Sequence, residues 1–167
     1  GPMPTGVAVS RQGRIFVNRG TLAGKPVVPR TGENVAARVD VRATRDGVEW
    51  RREYRWGDRV DVVTSTKLVR EGTLVERLPA RLHMPLDVRE ENGVLVFESR
   101  GYYFVLFGGP FELRLPLPAF FSPGRTRVEH VDLGHGWFRF TLIVMHPFFG
   151  EMFFQTGRFC ATEDGSD

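Results

Sequence analysis

From residue 36 onward the chain alternates apolar and polar residues with a period of two, and short glycine-bearing turns interrupt the alternation repeatedly. Period two is the pleat of a β-strand with unlike faces, and turns this short force neighbouring strands to run antiparallel. Ala37, Val39, Val41 and Ala43 alternate with Arg38, Asp40, Arg42 and Thr44 before Asp46-Gly47, a favoured hairpin dipeptide. Val48, Trp50, Tyr54 and Trp56 follow among Glu49, Arg51, Glu53 and Arg55 up to Gly57-Asp58. Turns are again expected at Glu71-Gly72, Asn92-Gly93 and Gly134-His135-Gly136, and Ala80, Leu82, Met84, Leu86 and Val88 form a clean stripe. Residues 94–107 read as one long strand bent at Gly101. No stretch of helical length sustains a 3.6-residue period, and Pro118 to Phe121 allows one helical turn at most.

The stretch from Gly136 to Phe159 is apolar on both faces and is broken only at Pro147 and Gly150. One face serves a core, and the other must meet a second layer, a lumen or a ligand. Consecutive antiparallel strands must also hide their edges, which closure accomplishes. The expected fold is therefore all-β: an antiparallel meander of about nine or ten strands closing into a β-barrel or a strongly curved, barrel-like sheet. A two-sheet β-sandwich is the alternative. Residues 36–160 are expected to form the barrel. Residues 3–35, rich in Gly, Pro and Arg, read as an irregular arm with one short hairpin at Gln12-Gly13, and residues 161–167 as a disordered tail. Gly1-Pro2 ahead of Met3 reads as the remnant of a cleaved tag.

Composition removes several functions. No apolar run is long enough for a membrane span, and no secretory leader is evident, so a cytoplasmic location is expected. Cys160 is the only cysteine, so no internal disulfide forms. The net charge of +3 comes from arginines interleaved with acids, not from a basic block, so nucleic acid is not an expected partner.

Leu74 to Leu78, the Asn92-Gly93 hairpin, Leu115 to Pro118 and Pro147 to Gly150 together resemble an uncharacterised bacterial family, domain of unknown function 4166, from about Val35 to Phe159. Members stand alone or follow an NAD(P)-binding domain similar to saccharopine dehydrogenase. The resemblance implies no known activity and transfers no catalytic residue. The chain itself has no Gly-x-Gly-x-x-Gly fingerprint, so usual dinucleotide binding is not expected.

Candidate chemistry is sparse. Glu76, beside Leu74 and Leu78, and Glu98, beside Val94 and Val96, are the carboxylates in the most apolar surroundings, which suits either proton transfer or a buried pair with Arg100, Arg114 or Arg139. His146 ends an apolar strand before Pro147 and reads either as an acid–base group at a barrel mouth or as a structural histidine. Tyr102 and Tyr103 point to opposite faces, so one looks inward. His83 is expected to face solvent, and His130 and His135 to flank a solvated turn. The catalytic candidates are Glu76, Glu98, Tyr103 and His146. The candidate ligand surface comprises Trp50, Tyr54, Trp56, Tyr102, Arg114, Trp137, Arg139, Phe153 and Gln155. No metal or cofactor is expected. The expected function is a small-molecule-binding barrel, acting as a non-redox cyclase or isomerase on a hydrophobic substrate of bacterial secondary metabolism. The alternatives are a non-catalytic lipophilic carrier and an accessory module docking on an oxidoreductase. The partners expected are a hydrophobic small molecule, with a second copy of the chain or an oxidoreductase as further options.

Overall fold

A computed structural model describes residues 6–17, 32–33 and 35–163. Thirteen strands follow in chain order: β1 (Gly6–Val17), β2 (Gly32–Glu33), β3 (Ala36–Ala43), β4 (Val48–Trp56), β5 (Arg59–Arg70), β6 (Thr73–Arg77), β7 (Leu82–Glu91), β8 (Val94–Ser99), β9 (Tyr103–Leu106), β10 (Leu113–Pro116), β11 (Arg125–Gly134), β12 (Trp137–His146) and β13 (Gly150–Glu163). Among the described residues there is no α-helix, only single 3-10 turns at Pro79–Arg81, Gly109–Phe111 and Ala119–Phe121.

The sheet closes. Hydrogen-bonded neighbours run β7, β6, β5, β4, β3, β1, β13, β12, β11 and β8, and β8 pairs back onto β7, every pairing antiparallel. These ten strands form the barrel wall, so no edge within it is left open to pair with another chain. β2 pairs β1, and the β9–β10 hairpin sits on β7 outside the ring.

The turns behave as their sequences require. Asn92 and Gly93 both take positive φ, 52° and 80°, and so do Glu71 and Gly72, at 50° and 78°. Positive φ at both central residues defines the turn whose twist matches the flanking strands. Gly47 is needed for a different reason: a Cβ there would sit 2.1 Å from the Lys67 carbonyl oxygen of β5, so the β3–β4 turn can lie against that strand only as glycine.

Three expectations change. Gly6–Val17 is a single strand, not a hairpin: a register shift between Ser10 and Gln12 replaces the turn, and the strand completes the ring between β3 and β13. The stretch from Val94 to Phe107 is split at Gly101, φ 122°, into β8 and β9. Both lie along β7, but β11 takes the other side of β8 and β10 that of β9, so the bend routes the chain out of the wall and back. Third, β13 continues to Glu163, into the stretch read as a tail; residues 164–167 and most of the expected arm (3–5, 18–31 and 34) lie outside the described residues.

Along each strand, alternate residues share the face that turns inward. Val39 and Val41, Trp50 and Tyr54, Met84 and Leu86, Phe97, Val128, the even-numbered residues from Phe138 to Val144, and Phe159 all turn into the lumen. The opposite faces carry ion pairs, such as Arg38–Asp40 (3.0 Å) and Arg51–Glu53 on β3 and β4. No helix among the described residues is long and apolar enough to cross a membrane.

Candidate functional site

The lumen encloses a cavity of about 270 Å³, walled mainly by aliphatic and aromatic side chains. Its size is near the lower end of the roughly 300–1,000 Å³ typical of small-molecule sites. Polar groups enter it at a few places only, and the barrel register assembles them.

The principal group spans three adjacent strands. Lys67 of β5 stands directly across from Glu76 of β6, and its Nζ lies 3.3 Å from Glu76 Oε2. Ser65, two residues earlier on the same face, donates its hydroxyl to Glu76 Oε1 at 2.6 Å. Arg52 of β4 donates from Nη2 to Ser65 Oγ at 2.5 Å and lies 3.5 Å from Glu76 Oε1. Lys67 Nζ also sits 4.6 Å above the Trp50 ring, a cation–π contact. Burial works against the Glu76 carboxylate, but the Lys67 and Arg52 charges and the Ser65 hydrogen bond outweigh it and hold its pKa below the ordinary carboxylate value. Lys67 is pushed below the usual lysine value by burial first, and by Arg52, against the support of Glu76. Arg52 Nε is buried and has no hydrogen-bond partner among the described residues.

His130 of β11 is the second polar element. Its ring is packed among Phe138 (6.0 Å, stacked), Phe140 (5.3 Å), Phe97 (5.6 Å) and Trp50 (6.5 Å). Burial, reinforced by the Lys67 charge, lowers its pKa to about 4, so the imidazole is neutral at physiological pH. Tyr54 donates its hydroxyl to Gln155 Oε1 at 3.2 Å, and Tyr102 lies 2.8 Å from the Gly124 carbonyl and 2.7 Å from Thr126 Oγ1. Burial pushes the Tyr102 hydroxyl up to about 12, so it remains protonated.

The candidates drawn from sequence separate into two groups. Glu76, Trp50, Tyr54, Tyr102 and Gln155 come together on the lumen. Phe153 is buried in the adjoining core, and Trp56 packs against that core. Glu98 faces outward, where Arg89 (2.6 Å) and Arg125 (2.7 Å) hold it in place of the arginines expected. Both faces of β8 are apolar, so the strand alone does not tell which face turns in. Tyr103 lies on the hairpin outside the ring, stacked on His83 at 5.3 Å, with Arg114 5.8 Å from its ring. Arg114 itself pairs with Glu112 and Glu71, while Trp137 and Arg139 are exposed on β12. His146 does not line the cavity: Nδ1 accepts from the Phe148 and Phe149 amides (3.1 and 3.3 Å), which leaves Nε2–H to donate to the Phe120 carbonyl at 3.1 Å. It is a fully satisfied linker between two turns.

His83, expected in solvent, is buried because β9 lays Tyr103 across from it. His130, expected in a solvated turn, is part of the lumen. Its signal was present in the alternation Thr126, Val128, His130 against Arg127, Glu129, Val131, but the nearby glycine turn masked it. Lys67 and Arg52 carried no local signal of their own.

A profile of an uncharacterised domain family (domain of unknown function, DUF4166) matches residues 5–159. The chain belongs to that family. The match begins at residue 5 rather than near Val35, so the DUF4166 domain includes β1, as closure of the ring requires. No curated protein and no solved structure matches the chain.

Proposed function

We propose that this DUF4166 barrel binds a hydrophobic small molecule in its lumen. The observation that carries the reading is a cavity of about 270 Å³ walled largely by apolar side chains, into which a small, convergent set of polar groups projects. Orientation by few polar groups inside an apolar enclosure is the common design of small-molecule sites.

Among enzymatic readings, a cofactor-independent cyclisation or isomerisation is favoured by one observation. An ionised carboxylate, Glu76, and a neutral imidazole, His130, face the same apolar volume. Such reactions draw mainly on shape, exclusion of water and one positioned proton acceptor or donor. Of the catalytic candidates, Glu76 is the one that lines the lumen; Glu98, Tyr103 and His146 are held elsewhere, so His130 takes the place of the expected acid–base partner.

Native mass spectrometry of freshly purified protein, followed by denaturing extraction, tests the binding reading. A mass increment that extracts as a lipophilic compound supports it. The bare chain mass, together with no calorimetric binding of decan-1-ol, overturns it. The enzymatic reading falls if Glu76→Gln and His130→Phe both leave turnover of the extracted compound unchanged.

A further inference from the structure

Among the described residues, the charges facing the lumen do not balance. Among the described residues lining the cavity, Arg52 and Lys67 are cations, Glu76 is the single carboxylate, and His130 is neutral. Asp61 shares the inward-facing side of β5 but is six residues from Lys67, roughly 20 Å along an extended strand, and does not line the cavity. An uncompensated charge in an apolar enclosure is costly, because little solvent is available to stabilise it.

The surplus has a direction. Glu76 Oε1 takes the Ser65 hydroxyl and lies near Arg52 Nη2, and Oε2 faces Lys67, so the carboxylate is already engaged on both oxygens. Arg52 lines the cavity, although its Nε is enclosed by the protein, and Lys67 has donors beyond the one directed at Glu76. Trp50 connects this group to His130: its ring lies beneath Lys67 Nζ and edge-on to the imidazole. The ring nitrogens of His130 hydrogen-bond to no described residue, so its N–H is open to an oxygen in the cavity. Donors on Lys67 and His130, with the Arg52 guanidinium beside Lys67 and Trp50 between Lys67 and His130, match an acceptor carrying one negative charge. A single carboxylate satisfies the imbalance, whereas a phosphate dianion would overshoot it.

We infer that the lumenal ligand is an apolar carboxylic acid, bound as its anion with the head group on Arg52 and Lys67 and within reach of His130, and with its hydrocarbon part along the Phe140–Leu142 side of the lumen. This rests on the lumen-binding reading above and specifies its ligand class.

The test is isothermal titration calorimetry of the full chain with decanoate, decan-1-ol and decylamine at neutral pH. Decanoate is expected to bind about tenfold or more tighter than decan-1-ol, with decylamine weakest, because charge-assisted hydrogen bonds to the two cations act only on the acid. Lys67→Met and Arg52→Gln, checked for folding by circular dichroism, are expected to reduce the preference for decanoate to less than about threefold while decan-1-ol binding persists. Equal binding of decanoate and decan-1-ol by the unaltered protein overturns the inference, whether or not the variants fold. So does a preference that survives in both variants. Binding of none of the three probes refutes the lumen reading itself and so separates the two failures.

Discussion

Replacing His130 with phenylalanine tests whether the lumen is a dry enclosure. The pKa of the imidazole is lowered from 6.5 to about 4, first by burial and then by Lys67. A folded-state pKa below the unfolded value means that the unfolded chain binds the proton more readily. The stability associated with neutral His130 is therefore present above about pH 6.5 and is lost as pH falls toward the folded value near 4. At about 1.4 kcal/mol per pH unit, the depression amounts to about 3 kcal/mol across that window. Other groups titrate there as well, His83 among them, whose pKa burial also lowers. The informative quantity is thus the difference between the unaltered protein and His130→Phe, which places an aromatic ring of similar shape among Trp50, Phe97, Phe138 and Phe140. Urea denaturation from pH 4 to pH 8 should show the unaltered protein losing about 3 kcal/mol more than the variant between pH 6.5 and 4. Parallel pH curves, or an NMR titration of His130 near 6.5, would refute the argument and mean that water reaches the lumen freely.

The two carboxylates singled out by sequence should behave oppositely. Glu76→Gln strands Arg52 and Lys67 in the lumen and should cost about 3–5 kcal/mol of unfolding free energy, with partial recovery on adding Lys67→Met. Because the Glu76 pKa is held below 4.5, its contribution is present above that pH and is lost as pH falls through the folded value. Glu98→Gln, whose partners Arg89 and Arg125 have exposed side chains, should cost about 1 kcal/mol or less in the same urea assay. His146→Ala removes the acceptor of two amides and the donor to Phe120, and should lower stability by about 2–3 kcal/mol in thermal and urea unfolding without weakening decanoate binding. Gly124→Ala, where φ is 114° and a Cβ would meet the Met145 carbonyl oxygen at 2.7 Å, should cost about 1–3 kcal/mol by urea unfolding.

The β11 connection shows a structural role for His146 and Tyr102. Tyr102 and Ser99 bond to the Gly124–Thr126 segment, and His146 bonds to the Phe120 carbonyl. The excursion through β9 and β10 is thereby fastened at its return into the wall. Prominent residues in apolar stretches can serve such anchoring as readily as chemistry, and burial alone does not separate the two. The hydrogen-bond partners do: His146 is satisfied on both ring nitrogens, whereas His130 has no hydrogen bond to a described residue.

Much of the architecture follows from sequence because its causes are local. A period of two is the backbone pleat itself, and Asn92-Gly93 or Glu71-Gly72 impose their turn through the φ angles they tolerate. The all-β class, the hairpin order from β3 to β8 and the apolar stripe that holds Met84 and Leu86 were therefore legible, as was Glu76 as a carboxylate in apolar surroundings. What the tertiary structure alone decided is non-local. On β8, with Leu95 and Phe97 on one face and Val94 and Val96 on the other, the direction of the lumen depends on β11, whose pairing residues lie some thirty positions away. The role of Gly6–Val17 depends on β13 at the far end of the chain. The site is of the same kind: Arg52, Lys67 and Glu76 lie on separate strands, and His130 reaches them only because the sheet closes. Alternation determines which residues share a face, but ring closure determines which face surrounds the cavity and which charges must neutralise one another inside it.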